Sequence, residues 1–171
     1  GMGGIFWLTA VLAIGAIGLL LRVVPPAPPV QAGPRVPFSS VLRDTRLLRL
    51  NFGIFILHLL LTATFVAVPL ALRDAGLSSD RHWEVYLPAL LFSMAAMVPF
   101  IILAEKYRQL KAVFIGAILT LALTEFGLVN LHDTVLEMAA LMLVFFSAFN
   151  LLEATLPSLI AKMAPPDAKG T

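Results

Sequence analysis

His58 and Glu153 are the side chains in this sequence best placed to do chemistry, because each stands inside a long apolar run where an ionisable group is costly to keep. At 1.5 Å per helical residue, His58 lies ~12 Å beyond Leu50, and Glu153 lies ~13 Å before Lys162 on an oppositely directed run. The two share one level. An imidazole and a carboxyl group that meet there can share or exchange a proton. The same residue types also suit a static hydrogen-bonded pair that only satisfies two buried groups, and the sequence leaves both readings open.

Ser147 and Asn150 precede Glu153 at successive steps of three, and Ala154 and Ser158 continue that side of the helix. Such a polar stripe suits a helix facing a water-filled cavity better than one facing lipid. Pro157 has no N–H to give the carbonyl of Glu153, which opens the backbone where the acid sits. Glu125, ~21 Å beyond Lys111, approaches the opposite headgroups, so the simplest reading is that it reaches water there. Asp133 and Glu137 are read as interfacial in the same way. With Cys 0 there are no thiolate sites, and the sequence has no Gly-rich phosphate loop, no HExxH pair and no GxSxG elbow. An enzyme is not expected, and neither a cofactor nor a bound metal is.

The elements that position these groups follow from composition. Hydrophobic residues make up 60% of the chain and charged ones 13%, against about 25% charged in a soluble domain. Met2 to Leu21, Leu50 to Leu72 and Val85 to Ala104 hold no Asp, Glu, Lys or Arg, and each is long enough for the ~20 residues of a spanning helix. Ala112 to Leu131 and Thr134 to Ala161 are read as a fourth and a fifth span. Continuous apolar runs exclude the alternating strands of a membrane barrel. The expected fold is therefore all-α, a polytopic transmembrane helix bundle of five spans, with the lipid bilayer as its first partner. A pI of 9.3 would suggest nucleic acid if the bases were clustered on one polar surface, and they are not.

Basic loops stay cytoplasmic, and of the 12 Lys and Arg only Arg73 and Arg81 lie in the alternate loops. This puts the amino-terminal end of the sequence outside and its carboxyl-terminal end in the cytoplasm. Trp7, Trp83, Tyr86 and Tyr107 all fall near the expected interfaces, where amphipathic rings belong. The organisation reads as a single helix over 1–22, a Pro-rich basic cytoplasmic linker over 23–49, and four helices over 50–171 (about 50–72, 85–104, 112–131 and 134–161). Within the linker, Ser39 or Ser40 can cap a short helix through VLRDTRLLRL that lies along the headgroups before turning into the second span. Ala112, Gly116, Thr120 and Thr124 form a small-residue stripe that would let a neighbouring backbone approach. An odd number of spans, Gly1 in place of Met, and PPDAKGT directly after a helix suggest a segment of a longer chain.

One helix, a long basic loop, then four helices with a short basic loop after the second of them resembles helices six to ten of a twelve-helix major facilitator superfamily transporter. RLLRLNFGIFILHLLLTATFVAVPL resembles the seventh helix of the YajR-type branch of drug/proton antiporters, and FNLLEATLPSLIAKMAPPDAKGT resembles the tenth helix and its exit. PFIILAEKYRQLK is similar to the loop between helices eight and nine, which carries a weakened Gly-x-x-x-Asp-Arg/Lys motif. Glu105 takes its acidic place and Lys106 its basic one, while Ile101 stands where the motif has glycine. The resemblance implies that the seventh and tenth helices line a central cavity, so that His58 and Glu153 face the transport path, and that the peripheral ninth helix keeps Glu125 away from it. It also implies that the remaining helices of a parent chain are partners of this segment.

The expected function is thus a share in a secondary active transporter of the bacterial inner membrane, with proton-coupled efflux of a small molecule by alternating access. Protons and a small-molecule substrate are the expected ligands. Glu153 would accept the proton, His58 would pair with it, and Asn150 and Ser147 would contact substrate. The alternatives are a non-transporting helical scaffold or subunit, and a sugar or metabolite symporter on the same fold.

Overall fold

Apolar runs in lipid must pair their own peptide groups, and they do so as helices in the computed structural model, which describes residues 2–25 and 43–163. Five helices among the described residues are long and apolar enough to cross a membrane. The chain divides into two compact units, Gly1–Arg35 and Val36–Thr171. The first holds α1, Met2–Arg22, apolar round its whole circumference as a helix in lipid can be. Its one hydroxyl is satisfied locally, Thr9 Oγ1 donating to the Ile5 carbonyl at 2.6 Å.

The second unit holds α2 (Thr45–Asp74), a 3-10 turn (Ser79–Arg81), α3 (Trp83–Glu105), α4 (Leu110–Asn130) and α5 (Val135–Met163). Asp44 starts α2, its carboxylate accepting from the backbone N–H of Arg46 at 2.9 Å and of Leu47 at 3.4 Å. The chain breaks at Asp44, extended at φ -72° and ψ 101°, and not at the turn expected near Leu50. Thr45 to Leu50 continue without a break into α2, because TRLLRLNF contains neither Gly nor Pro to interrupt them. At 30 residues the rod is ~45 Å long, so its ends project beyond a ~30 Å hydrocarbon layer. Ser39, Ser40 and the PxxP segment lie outside the described residues.

Chain reversal after α2 needs Gly76 at φ 91°, which lets the Leu77 N–H return to the Leu72 carbonyl at 2.9 Å. At the start of α5, Thr134 and Glu137 form a reciprocal capping box. Thr134 Oγ1 accepts from the Glu137 N–H at 3.2 Å, and the Glu137 carboxylate accepts from the Thr134 N–H at 3.0 Å. Glu137 therefore has a structural task at the helix end.

The centre of this unit is α5, packed against α2, α3 and α4. Its inward face carries Met138, Met142, Phe145, Phe146 and Leu152, all buried, and it meets Val68 and Leu72 of α2 and Ala117 and Leu121 of α4. Phe65 of α2 stacks on Tyr86 of α3 with centroids 5.6 Å apart. Four prolines, Pro69, Pro88, Pro99 and Pro157, sit inside continuous helices.

At Gly116 the small-residue stripe on α4 receives no close neighbour, although Thr124 at its far end is buried. A Cβ on Gly116 would meet nothing within 4 Å, whereas one on Gly127 would fall 2.7 Å from Leu141 Cδ2 of α5. Gly127→Ala should therefore displace Leu141, which offsets the gain in helix propensity and leaves this variant about 1 kcal/mol less stable than Gly116→Ala. Gly116→Ala should be neutral or gain up to about 1 kcal/mol from helix propensity. Unfolding midpoints of the two variants in one detergent give the comparison, and equal shifts would contradict the packing.

Candidate functional site

Helix geometry brings the two buried-run residues together. His58 projects from α2 and Glu153 from α5, with Nε2 and Oε2 3.7 Å apart. That is within ion-pair range and beyond a hydrogen bond. The imidazole is oriented by its own helix, Nδ1 lying 2.9 Å from the Ile54 carbonyl. A carbonyl only accepts, so Nδ1 carries hydrogen, and Nε2 is left to face the carboxyl group. Phe149 of α5 packs edge-on to the ring at 6.3 Å and 74°.

This arrangement sets a proton count. With one proton between Nε2 and Oε2, the contact is attractive whether it is written as imidazolium and carboxylate or as neutral imidazole and carboxylic acid. With none, a lone pair faces a carboxylate and the contact turns repulsive. The pair can thus register the gain or loss of one proton as attraction or repulsion between α2 and α5. Both side chains remain open to their surroundings, 51% and 44% exposed. They lie on an accessible face of the described bundle.

The other residues singled out on α5 do not join them. Each step of three along an α-helix turns the side-chain direction by ~60°, so Ser147, Asn150 and Glu153 fan out around α5. Asn150 donates through Nδ2 to Ser93 Oγ of α3 at 2.9 Å. Ser93 is fully buried and passes its own hydrogen to the Leu90 carbonyl at 2.8 Å. Ser147 donates to the Leu143 carbonyl at 2.7 Å and lines a groove of about 530 Å³ with Ala96 and Phe100 of α3 and Gly116 and Thr120 of α4. The expectation of one polar stripe facing one cavity is corrected accordingly.

Glu105 and Lys106 also part company. Glu105 ends α3 and accepts from Lys162 Nζ at the end of α5 at 3.2 Å, while the Lys106 ammonium lies 5.8 Å from the Tyr107 ring centroid. Both partners of the Glu105–Lys162 pair are exposed, so the bond is a modest clasp between two helix ends. Glu125 does not simply reach water at the membrane edge. Its Oε1 lies 3.2 Å from Oγ1 of the buried Thr64 on α2.

Ser93, Thr64 and Lys162 had not been singled out by spacing. Ser93 had a signal, as the lone Ser or Thr between Val85 and Ala104. Thr64 and Lys162 had none, since their partners stand 61 and 57 positions away.

An ionisable pair held partway along two membrane-length helices, in an all-α bundle apolar on its outer faces, defines an integral membrane protein of the polytopic helical class. The chain belongs to the Major Facilitator Superfamily, whose family model matches residues 1–171. It is 43% identical over 176 residues to the inner membrane transport protein YajR of Escherichia coli (strain K12), a match covering 100% of this chain and 39% of that protein. It is 27% identical over 189 residues to an uncharacterized transporter of Buchnera aphidicola subsp. Acyrthosiphon pisum, covering 100% of this chain and 45% of that one. The chain thus spans less than half the length of these relatives. No solved structure matches it at a significant level.

Proposed function

We propose that this segment serves a secondary transporter of the bacterial inner membrane, which exports a small molecule in exchange for protons by alternating access. The observation that carries the reading is the 3.7 Å approach of His58 Nε2 to Glu153 Oε2 on an accessible face. Glu153 accepts the proton and His58 is its partner. A neutral Glu153 crosses an apolar gate at far lower cost than a carboxylate, so proton binding and the rocking of the two halves become linked. Asn150 and Ser147 act as polar contacts for substrate, Asn150 by exchanging its bond to Ser93 for one to the ligand. The name of the Escherichia coli relative, an inner membrane transport protein, supports the location and the class. Comparison of pH-gradient-driven uptake by wild type and Glu153→Gln tests this reading. The rival, a scaffold in which the same pair only locks α2 to α5, expects a change in stability with no change in flux.

The orientation proposed from the bases, with the α2–α3 loop outside and the α3–α4 loop in the cytoplasm, has its own test. The segment contributes no cysteine of its own, and Ser79 and Gln109 are both exposed. Ser79→Cys should label with a membrane-impermeant maleimide in intact cells, and Gln109→Cys only after the membrane is opened. The reverse pattern would invert the topology.

A further inference from the structure

Glu125 poses a hydrogen-counting problem that the His58–Glu153 pair does not touch. Thr64 Oγ1 lies 2.8 Å from the Leu60 carbonyl and 3.2 Å from Glu125 Oε1, yet a hydroxyl has a single hydrogen to donate. The Leu60 carbonyl can only accept. If Glu125 is a carboxylate, both partners claim that one hydrogen and one contact sets acceptor against acceptor. If Glu125 holds a proton, the count closes: the carboxylic acid donates to Thr64 Oγ1, and Thr64 donates to Leu60.

The surroundings point the same way. Glu125 borders two grooves formed by α2, α4 and α5, and apart from Thr64 every other side chain lining them is apolar. Leu60, Leu121 and Leu152 line one groove, and Ala63, Val68, Leu128 and Met138 the other. Among the described residues, no Lys, Arg, His, Asp or second Glu lines either groove, so nothing there compensates a negative charge. Thr64 is buried and its hydroxyl is the polar partner at hand.

We propose that Glu125 and Thr64 form a second proton-binding site, separate from His58–Glu153, in which a neutral carboxylic acid clasps α4 to α2. The proton is its ligand. Its loss breaks the donor chain at Thr64 and places a charge between the two helices, which frees α2, the helix that also carries His58. This site does not depend on the transport reading, because it follows from the hydrogen count and the apolar lining alone.

Infrared difference spectroscopy of the intact protein in lipid tests it. Near neutral pH the wild type should show a carboxylic-acid C=O band that is lost in Glu125→Gln, retained in Glu153→Gln, and shifted to higher frequency in Thr64→Val, where the hydrogen-bond acceptor is gone. Should Glu125→Gln fail to fold, the wild type is treated with a hydrophobic carbodiimide, which adds to protonated carboxyl groups in a membrane. Peptide mapping should then find an adduct on Glu125 that fades as the pH is raised. A neutral-pH spectrum with no band sensitive to Glu125→Gln would overturn the proposal, as would a Glu125 peptide that stays unmodified at every pH.

Discussion

Glu153→Gln in the intact protein, reconstituted in vesicles, should abolish uptake driven by a pH gradient while leaving the fold and downhill exchange of substrate in place. Glutamine has the size of a protonated glutamate, and its amide can still donate to His58 Nε2 across the same contact. The α2–α5 contact therefore survives in its attractive form, and the change removes only the alternation between charged and neutral states. Without that alternation, no proton is carried and the gradient has nothing to act on. The thermal midpoint should move little, because both side chains are about half exposed and the pair contributes little to stability. Unchanged gradient-driven flux together with a lowered midpoint would remove the proton role and favour the scaffold reading.

Phe145→Ala should give the largest loss of stability, about 3 kcal/mol, at the lower end of the range for Phe→Ala in close-packed cores. Phe145 is fully buried at the centre of α5, stacked on Phe149 at 5.9 Å and 16° and edge-on to Phe146 at 5.4 Å and 80°. Lipid tails are as apolar as the side chains they replace, so transfer from water adds little to helix–helix contact here. What truncation loses is dispersion contact and the aromatic geometry, and what it leaves is a cavity that helices cannot collapse to fill. Phe126→Ala removes the same ring from a site that is 69% exposed and should change stability by less than about 0.5 kcal/mol. Titration of each variant with a denaturing detergent measures the contrast. Similar losses at positions 126 and 145 would mean that α5 is not the packing centre.

Glu125 and Ser147 show where reading from the sequence stops. The depth of Glu125 along its span follows from its count of residues past Lys111, but its bond to Thr64 depends on how α2 and α4 are turned toward each other. Ser147 shares a spacing pattern with Asn150 and Glu153, yet Ser147 bonds a carbonyl of its own helix, Asn150 bonds Ser93 of α3 and Glu153 meets His58 of α2. In a water-soluble helix, polar residues mark the outside face and so reveal rotation. In these spans the outside is apolar too, and that mark is missing.

By itself the sequence determined the five lipid-length helices and the depth of His58 and Glu153, because a fixed rise per residue turns a count of apolar positions into a distance. The tertiary structure alone decided which faces meet: Asn150 with Ser93, Glu125 with Thr64, Glu105 with Lys162. Those meetings follow from each rod's rotation about its own axis, which close packing around α5 settles and hydropathy does not encode.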